Sequence, residues 1–393
     1  MELERIQQAL ALEQLNGWLF YDFRKSNSLA YQILSLPEQE FYTRRWFYFV
    51  PTQGTPTALV SAVEPHVLHS HPGQRRVFRT WQEMHVHLKD VLQPGMRVAM
   101  EYSPMNAIPY ASRVDAGTVE LVRSCGVEVV SSANIAQRFM AQLSDSQVET
   151  HREAGRRIIA TKDRLFEELS EALRTGAPLS EYSVQQRFST LLQQAGVVFP
   201  DLPHVAVNAN CSNPHYAPTA EQNSPIEHGD LILFDFWAHL PEPDAIFADY
   251  TWMAFAGTCE EIPAHQCEVF ETVRRARDTG IVFVRQKLAA GELVQGCQVD
   301  DVTRRVVVNA GYGDYFVHRT GHSIGTVVHG NSANLDNFET QDQRILLPNT
   351  CCSVEPGIYL PQFGIRSEVN IIVHERDVEV TGVPAQEEIV ALL

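Results

Sequence analysis

Residues 231–237 read Leu-Ile-Leu-Phe-Asp-Phe-Trp, an apolar run interrupted by a single carboxylate, Asp235. A second carboxylate, Glu355, directly follows the run Cys-Cys-Ser-Val at 351–354. Runs of this kind are typical of buried β-strands. Both acids are therefore expected to emerge from strands in the interior, where an ionised carboxylate is unfavourable unless its charge is compensated.

Each of these acids has a partner at a similar spacing. Asp249 lies fourteen residues after Asp235, and Glu368 lies thirteen residues after Glu355. The intervening segments are rich in turn residues, with Leu-Pro-Glu-Pro-Asp at 240–244 and Pro-Gln-Phe-Gly at 361–364. Each pair is predicted to form a hairpin that returns the second carboxylate to the same sheet face as the first.

Four carboxylates gathered in this way would repel one another until some took up protons. Two divalent cations would supply about four positive charges, and they would also make a bound water acidic and nucleophilic near neutral pH. With His322 as the fifth side chain, hard oxygen ligands and one imidazole favour Mn2+, Co2+ or Zn2+ over copper.

The character of the chain changes near residue 145. Before it, the pattern predicts a small α/β domain that begins with a helix carrying Ile6, Leu10 and Leu12. From Ser144 a long helical pattern begins with capping residues. We therefore predict two domains, 1–145 and 146–393. Strands of the first are expected near 18–21, 46–50, 58–60, 98–101 and 127–130.

Composition limits the class of protein. The 393 residues are 44% apolar and 20% charged, without a run long enough to span a bilayer and without a signal pattern. The seven cysteines are scattered, which fits reduced thiols and predicts a cytoplasmic location. The formal charge of -17 argues against nucleic acid or an anionic membrane as a partner.

Five short motifs follow one another in the second domain. They are Leu-Phe-Asp-Phe at 233–236, Asp-Tyr-Thr at 249–251, His-Arg-Thr-Gly-His-Ser-Ile-Gly at 318–325, Glu-Pro-Gly-Ile-Tyr at 355–359 and Gly-Ile-Arg-Ser-Glu at 364–368. In this order they resemble the pita-bread (creatinase/prolidase-like) metallopeptidases, and within them the Xaa-Pro dipeptidases and Xaa-Pro aminopeptidases. The resemblance implies an α/β (α+β) fold class, in which an N-terminal creatinase-like α/β domain precedes a C-terminal pita-bread catalytic domain.

The resemblance also implies roles for individual residues. The metal ligands would be Asp235, Asp249, His322, Glu355 and Glu368. Glu355 would also carry a proton from water to the proline nitrogen, while His329 and His215 would contact the substrate carbonyl. Tyr359 and Arg366 would support the site or bind substrate.

The implied reaction is hydrolysis of the peptide bond before proline in Xaa-Pro dipeptides by a dinuclear-metal prolidase. An Xaa-Pro aminopeptidase that acts on longer peptides is the alternative, because both branches share these motifs. The short first domain and the His-Arg-Thr-Gly-His motif favour the dipeptidase. The partner is then a small peptide with proline at its second position, and the resemblance implies a homodimer or a higher homo-oligomer.

Three positions depart from the family pattern. Trp252 stands where the family usually has Arg, Gly330 follows His329 where an acidic residue is frequent, and Val369 replaces an Asp after the last glutamate. None of the three removes a predicted metal ligand.

A dipeptidase also needs a cation for the carboxylate of its substrate. The arginine that some prolidases use aligns here with Gln341. Arg344, Arg366 and the pair Arg44-Arg45 are the candidates to replace it.

Other interpretations remain open. Residues 321–325 satisfy Gly-x-Ser-x-Gly, so a serine hydrolase that uses Ser323, with His374 downstream, is a remote alternative. A non-catalytic peptide-binding module on the same fold is another. Five histidines between residues 66 and 87 could form a separate metal site, but solvated loop residues are the preferred interpretation.

Overall fold

The structure is a computed structural model that describes residues 2–37, 39 and 41–393. The chain divides into two units, residues 1–140 and 141–393. The first unit contains 13 basic and 13 acidic side chains, so the entire net charge of -17 belongs to the second. Leu143 lies in the second unit because its backbone N–H donates to Asn349 O at 2.7 Å and its side chain packs beside Val148.

The first unit is a mixed sheet with helices on both faces. Its strands are β1 (Gly17–Asp22), β2 (Trp46–Pro51), β3 (Thr57–Ser61), β4 (Gln74–Phe78), β5 (Arg97–Met100) and β6 (Glu128–Ser131). Its helices are α1 (Leu3–Leu12), α2 (Ser28–Leu34), α3 (Trp81–Val91), α4 (Ala116–Arg123) and α5 (Ala133–Met140), with short 3-10 turns at Pro104–Asn106 and Pro109–Ala111. The strand order is β4-β3-β2-β1-β5-β6.

Alternation along β1 explains the two cores of this unit. Trp18 and Phe20 pack with α1, α2 and α5, whereas Leu19 and Tyr21 pack with α3 and α4. Successive side chains of a strand point to opposite faces, so a strand that is apolar throughout is covered on both sides.

The sequence prediction for this unit was incomplete in two respects. Leu12 was assigned to the apolar side of the first helix, but it is 71% exposed at the helix end. Strand β4 was missed because its sequence, Gln-Arg-Arg-Val-Phe, is mostly polar and exposed. An edge strand of this kind lacks the apolar alternation on which strand prediction depends.

The second unit contains two four-stranded sheets and four long helices. Its helices are α6 (Asp145–Thr175), α7 (Glu181–Gln194), α8 (Ala264–Ala289) and α9 (Gly296–Asn309), with 3-10 turns at Asn208–Ser212, Cys259–Glu261 and Gly313–Tyr315. Its strands are β7 (Leu179–Ser180), β8 (His204–Val207), β9 (Pro225–Ile226), β10 (Leu231–Ala238), β11 (Ala248–Phe255), β12 (Ser323–Ile324), β13 (Cys351–Val354), β14 (Gly357–Leu360), β15 (Phe363–Arg366), β16 (Val369–Val373), β17 (Val378–Thr381) and β18 (Val390–Ala391). The sheet orders are β18-β11-β10-β8 and β12-β13-β16-β17, and β14-β15 and β7-β9 form two small ladders.

Helix α6 begins where the capping signal predicts. The Ser144 hydroxyl accepts from the Gln147 backbone N–H at 3.2 Å, and the Gln147 side chain accepts from the Ser144 N–H at 3.0 Å. The helix ends at Gly176, whose φ of 70° suits a residue without a Cβ. Helices α6 and α7 cover the first sheet, while α8 and α9 cover the second. Among the described residues, no helix has both the length and the apolar character needed to cross a membrane.

The two predicted hairpins differ in form. β10 and β11 pair directly, with Asp235 opposite Thr251 and Trp237 opposite Asp249. β13 and β16 also pair antiparallel, but the chain between them forms a separate hairpin, β14-β15. The prediction of a single hairpin from Glu355 to Glu368 was therefore too simple, because the turn at 361–364 closes the inner hairpin.

A buried histidine on α6 connects distant parts of the second unit. His151 is fully buried, and its Nδ1 lies 2.6 Å from Phe247 O while its Nε2 lies 2.7 Å from Thr381 Oγ1. Burial lowers the pKa of His151 to about 4, and the charge of Arg152 adds to this, whereas the Phe247 carbonyl and Glu379 oppose it. The folded protein therefore holds this ring neutral.

We expect His151 to make the protein sensitive to mild acid. An unfolded histidine has a pKa of about 6.5, so the unfolded chain takes up this proton first, and stability present above pH 6.5 is lost as the pH falls toward 4. The contribution is of the order of 3 kcal/mol. Urea unfolding between pH 4 and 8 should show a shallower pH slope for His151→Gln than for the exposed control His265→Gln. Equal slopes would contradict this assignment.

Candidate metal centre

An asparagine joins the two sheets that carry the predicted carboxylates. The Asp249 backbone N–H donates to Asn370 Oδ1 at 2.9 Å, and Asn370 Nδ2 donates to Asp249 O at 2.7 Å. The Thr251 carbonyl accepts from the Glu368 backbone N–H at 3.4 Å. These contacts place β11 beside β16, so the acidic ends of both hairpins face each other.

Three of the five predicted ligands form one buried group. Asp249, His322 and Glu368 each offer a ligand atom, and these atoms lie within 4.8 Å of one another. All three side chains are buried. Among the described residues this is the one group of acidic, histidine or cysteine side chains with metal-binding spacing.

Glu355 approaches the same imidazole nitrogen as Asp249. His322 Nε2 is 3.4 Å from Glu355 Oε1 and 3.5 Å from Asp249 Oδ2. His322 Nδ1 lies 3.1 Å from Ser323 O, which leaves Nε2 directed toward the acids. Ser353 supports both groups, because its hydroxyl accepts from the His322 backbone N–H at 2.9 Å and donates to Glu355 at 3.1 Å.

Asp235 faces the same group of acids, but it is paired with Arg366 and lies near His204. Its Oδ2 lies 2.5 Å from Arg366 Nη2 and 3.4 Å from His204 Nδ1. Arg366 Nε also donates to Thr251 Oγ1 at 2.8 Å. The Thr251 hydroxyl has one proton, and its nearer acceptor is Glu368 Oε2 at 2.9 Å rather than Asp235 Oδ1 at 3.4 Å.

Two of the acids are held at raised pKa. Burial raises the pKa of Asp249 to about 6, and the negative charge of Asp235 adds to this. Burial, followed by the charge of Asp249, raises the pKa of Glu368 well above its usual range. Desolvation and like charge both disfavour the ionised forms of Asp249 and Glu368, so a bound cation would stabilise these two carboxylates.

The other two acids already have cationic neighbours. Burial acts to raise the pKa of Asp235, but the charge of Arg366, together with the nearby His204, outweighs it, and the pKa is lowered. Burial likewise acts on Glu355, but the charges of His322 and Arg366 lower its pKa overall. Within the centre, the protein therefore balances the negative charge of Asp235 and Glu355, but it does not balance that of Asp249 and Glu368.

The donor set fits divalent metal ions. Asp249 Oδ1 and Glu368 Oε1 are buried and have no hydrogen-bond partner among the described residues. Buried oxygens of this kind are costly unless a cation or a donor meets them. Four carboxylates and one imidazole suit hard divalent ions.

All of these side chains open onto one cavity of about 740 Å3. Its wall includes the five predicted ligands together with His215, His329 and Arg366. His329 stacks edge-on against His322, with ring centroids 4.4 Å apart. Burial, helped by the charge of His322, lowers the pKa of His329 to about 4, and His215 is exposed at the cavity surface.

Tyr359 does not line this cavity. Its hydroxyl lies 2.8 Å from His318 Nε2, and His318 Nδ1 lies 2.7 Å from Arg319 O. Through His318, the tyrosine thus holds the segment that leads to His322, so it contacts a neighbour of the predicted ligand and not the cavity.

Several residues of the site were not predicted from the sequence, because their positions depend on pairing between strands. His204 lies opposite Asp235 in the ladder of β8 and β10, and Asn370 aligns the two sheets. Asp201, His318 and Glu339 line the cavity. The position of Asn370 within an apolar strand was a usable signal, because a buried amide requires partners.

The departures from the family pattern leave the cavity intact. Trp252 points away from it, because its neighbour Thr251 faces the acids and alternate residues of a strand face opposite ways. Its ring instead lies 3.4 Å from Lys162 Nζ. Val369 is buried in the core with α8, and Gly330 donates its N–H to Ser323 O at 2.7 Å.

The geometry does not support Ser323 as a nucleophile. Its hydroxyl is buried and accepts from the Ser332 N–H at 2.9 Å and from the Ser332 hydroxyl at 2.7 Å. His374 is paired with Glu379 at 3.4 Å. A nucleophilic serine needs an adjacent base, and no histidine bonds Ser323 Oγ within the described part of the chain.

The histidines between residues 66 and 87 form no metal-binding group among the described residues. His71 Nε2 lies 2.8 Å from Leu34 O, so this ring serves the local fold.

Gly321 is required by close packing. A Cβ at this position would lie 2.0 Å from the Ser353 carbonyl oxygen, whereas a Cβ at Gly325 would have no neighbour closer than 3.8 Å. We expect Gly321→Ala to lower the free energy of unfolding by about 3 kcal/mol, and the matched control Gly325→Ala to change it by less than about 1 kcal/mol. Urea denaturation of both variants measures the difference, and equal effects would contradict the packing argument.

The sequence was compared with protein families and with known proteins. The metallopeptidase family M24 profile matches residues 149–375. An Xaa-Pro dipeptidase of Lactobacillus helveticus is 32% identical over 212 residues, covering 53% of this chain and 52% of that protein. A putative Xaa-Pro aminopeptidase of Mycoplasma genitalium is 31% identical over 184 residues, covering 47% of each. The chain thus spans about half the length of the curated relatives it matches.

The fold extends beyond the region of sequence similarity. The crystal structure of dipeptidase PepE from Mycobacterium ulcerans matches with a TM-score of 0.64 at 20% identity, over 99% of this chain and 96% of that chain. This likeness confirms the predicted fold class. Since the family profile covers more than half of the chain and includes every predicted metal ligand, the protein belongs to metallopeptidase family M24.

Proposed function

We propose that the protein is a metal-dependent Xaa-Pro dipeptidase, a hydrolase that cleaves the bond before proline. The observation that carries the proposal is the convergence of Asp249, His322 and Glu368 with Glu355 and Asp235 on one cavity. Similarity to a protein named Xaa-Pro dipeptidase supports the substrate class. The alternative is an Xaa-Pro aminopeptidase, which similarity to a putative enzyme of that name supports.

We assign metal binding to Asp235, Asp249, His322, Glu355 and Glu368, with Mn2+ as the first choice and Co2+ or Zn2+ as alternatives. Two divalent ions held by these side chains would polarise the scissile carbonyl and acidify a water molecule. Thr251 and Ser353 orient the ligands through the hydrogen bonds described above.

Proton transfer is assigned to Glu355. It faces the cavity, and it accepts the proton that the attacking water gives up. Glu355 then passes this proton to the proline nitrogen as the C–N bond breaks, so the products are a free amino acid and proline. His329 and His215 donate hydrogen bonds to the carbonyl oxygen as negative charge develops on it.

Selectivity for proline has a physical basis. The bond before proline lacks an N–H, so a site that recognises it must rely on shape instead of that donor. Val317, Val328 and Trp237 give the cavity apolar wall for a pyrrolidine ring.

The proposal also includes the cellular compartment and the oligomeric state. All seven cysteines are unpaired, which supports a reducing compartment such as the cytoplasm. A homodimer or a higher homo-oligomer follows from the family resemblance, and light scattering of the purified protein measures it.

The function is tested with metal-depleted protein and with protein reloaded with Mn2+, Co2+ or Zn2+. Loaded protein should hydrolyse Ala-Pro, and depleted protein should lose at least about 99% of that rate. A tripeptide of the form Xaa-Pro-Yaa should be cleaved at least about tenfold more slowly. Fast tripeptide cleavage would favour the aminopeptidase, and undiminished activity after metal removal would exclude the proposed chemistry.

A further inference from the structure

The first unit contains a large cavity that the proposed function does not use. Its volume is about 970 Å3, and its wall comes entirely from residues of that unit. Arg44 and Arg45, two sequence candidates for binding the substrate carboxylate, lie in this wall and not in that of the metal centre. A further candidate, Arg344, pairs with Asp342 at 2.6 Å and does not line the metal centre either. Arg44 and Arg45 therefore belong to a different site.

The cavity lies at the edge of the sheet where the parallel strands end. Strands β1, β3 and β4 run in the same direction, and residues at their carboxyl ends form part of the wall. Helices α3 and α4 begin at this edge and add Trp81, Gly117 and Thr118 to the wall. In open α/β sheets small ligands bind in the crevice at this edge, and helix N-termini favour anions there. The fold thus provides a position that suits a small anion.

Four arginines give this position its charge: Arg24, Arg44, Arg45 and Arg79. No ion pair joins any of the four to an acidic side chain in the described part of the chain. Arg45 is half-buried, and its guanidinium donates no hydrogen bond to a described residue. Burial raises the pKa of Tyr21 in the same wall, and the charge of Arg45 opposes this, so the guanidinium lies near that ring. A half-buried cation without an acceptor is stabilised by a bound anion.

The acidic side chains beside the cavity are already used by the backbone. Glu64 accepts from the Arg44 backbone N–H at 2.9 Å, and Glu83 accepts from that of Arg79 at 2.6 Å. Asp115 is the one acid among the described residues of the wall, and it accepts from the backbone N–H of the third residue of α4 at 2.8 Å. The wall therefore carries four positive charges against one negative charge, although the whole protein has a formal charge of -17.

Two exposed aromatic side chains lie beside the arginines. Trp81 is 59% exposed and Phe23 is 42% exposed, and both line the cavity. The Trp81 ring packs edge-on against His85, with ring centroids 5.1 Å apart, which limits its orientations. Aromatic faces held in this way can stack on a planar ring of a ligand. The wall thus combines groups for an anion with groups for an aromatic ring.

We propose that this cavity binds a small aromatic compound that carries a phosphate, of the class represented by a nucleoside monophosphate. The arginines bind the phosphate, because the planar guanidinium matches its oxygens, and Trp81 and Phe23 contact the ring. A longer polyanion such as a nucleic acid is disfavoured by the net charge of the protein. The site shares no residue with the metal centre, so the inference does not depend on the proposed peptidase activity.

The test is calorimetry of the full-length, Mn2+-loaded protein with AMP, adenosine and inorganic phosphate as separate probes. We expect AMP to bind at one site per chain with a Kd below about 1 mM, and each of the other two probes to bind at least about tenfold more weakly. No binding at about 10 mM AMP would overturn the inference. Phosphate that binds as tightly as AMP would overturn the assignment of an aromatic ligand.

Variants locate the binding. Arg45→Gln and Arg79→Gln should each weaken AMP at least about tenfold, because each removes a charge-assisted contact. Trp81→Leu should weaken AMP about fivefold and leave phosphate binding unchanged. The matched control is Arg97→Gln, which removes the same charge from an exposed position of the first unit outside the wall and should match wild type.

Two results would place AMP elsewhere and overturn the inference. One is an equal loss of AMP affinity in Arg97→Gln and Arg79→Gln, which would indicate a general effect of charge. The other is a loss of AMP affinity in Glu368→Gln, which would indicate phosphate binding at the metal centre. AMP binding that is weakened by the first-unit variants and unchanged in Glu368→Gln supports the proposed site.

Discussion

Glu368→Gln is expected to abolish activity and to remove most of the stabilisation that metal gives. In metal-free protein this side chain lies among like charges, so its neutral replacement should raise the free energy of unfolding by about 1 to 2 kcal/mol at pH 8. In wild type, metal at 100 to 1,000 times its dissociation constant should add about 3 to 4 kcal/mol. The variant should lose most of that gain, together with at least about 10^3-fold in kcat/KM.

The measurement is urea unfolding of metal-depleted and Mn2+-loaded protein, with Mn2+ titration by calorimetry. Asp201→Asn is the matched control, because Asp201 lines the same cavity but is exposed and lies outside the buried group. It removes the same charge and should leave the metal response as in wild type. A Glu368→Gln protein that binds Mn2+ with wild-type affinity would contradict the assignment of this ligand.

Arg366→Met should have the largest effect on the stability of the metal-free protein. The substitution leaves the buried Asp235 without the cation that lies 2.5 Å from it, and breaking such a pair costs about 3 to 5 kcal/mol. Adding Asp235→Asn removes the uncompensated charge, so the double variant should recover about half of the loss or more. Bound metal should also reduce the cost, because it supplies positive charge to the same wall.

A double-mutant cycle in urea measures the coupling between the two side chains. The control pair is Arg285 with Asp377, which are 2.9 Å apart but 46% and 63% exposed. Their coupling should be below about 1 kcal/mol, because water screens an exposed pair. If the buried pair were coupled no more strongly than the exposed one, the proposed role of Arg366 would be wrong.

Local sequence patterns were sufficient to locate the strands that carry or precede Asp235 and Glu355. Asp235 and Glu355 follow apolar runs, and β10 and β13 form there. The same reasoning located α6 through the Ser144 cap. Each of these signals lies within a few residues of the group it predicts, which is why one chain was enough to find them.

The residues that were missed depend on pairing between distant segments. His204 meets Asp235 only because β8 pairs with β10, and Arg366 is committed to Asp235 only because the two sheets adjoin. The turn at 361–364 was predicted, but the pairing of β13 with β16 outside the hairpin β14-β15 was not, since a turn signal does not state which strands it joins. Register and contacts between sheets, rather than periodicity, decide these features.

The clamp between Asn370 and Asp249 joins positions 121 residues apart in the chain. Closing a loop of that length is slow, and its entropy is lost before the contact is made. The buried acidic group around His322 is therefore expected to form late in folding, and on the ribosome it stays incomplete until Glu368 has been synthesised. Metal should accordingly slow unfolding while leaving the refolding rate nearly unchanged.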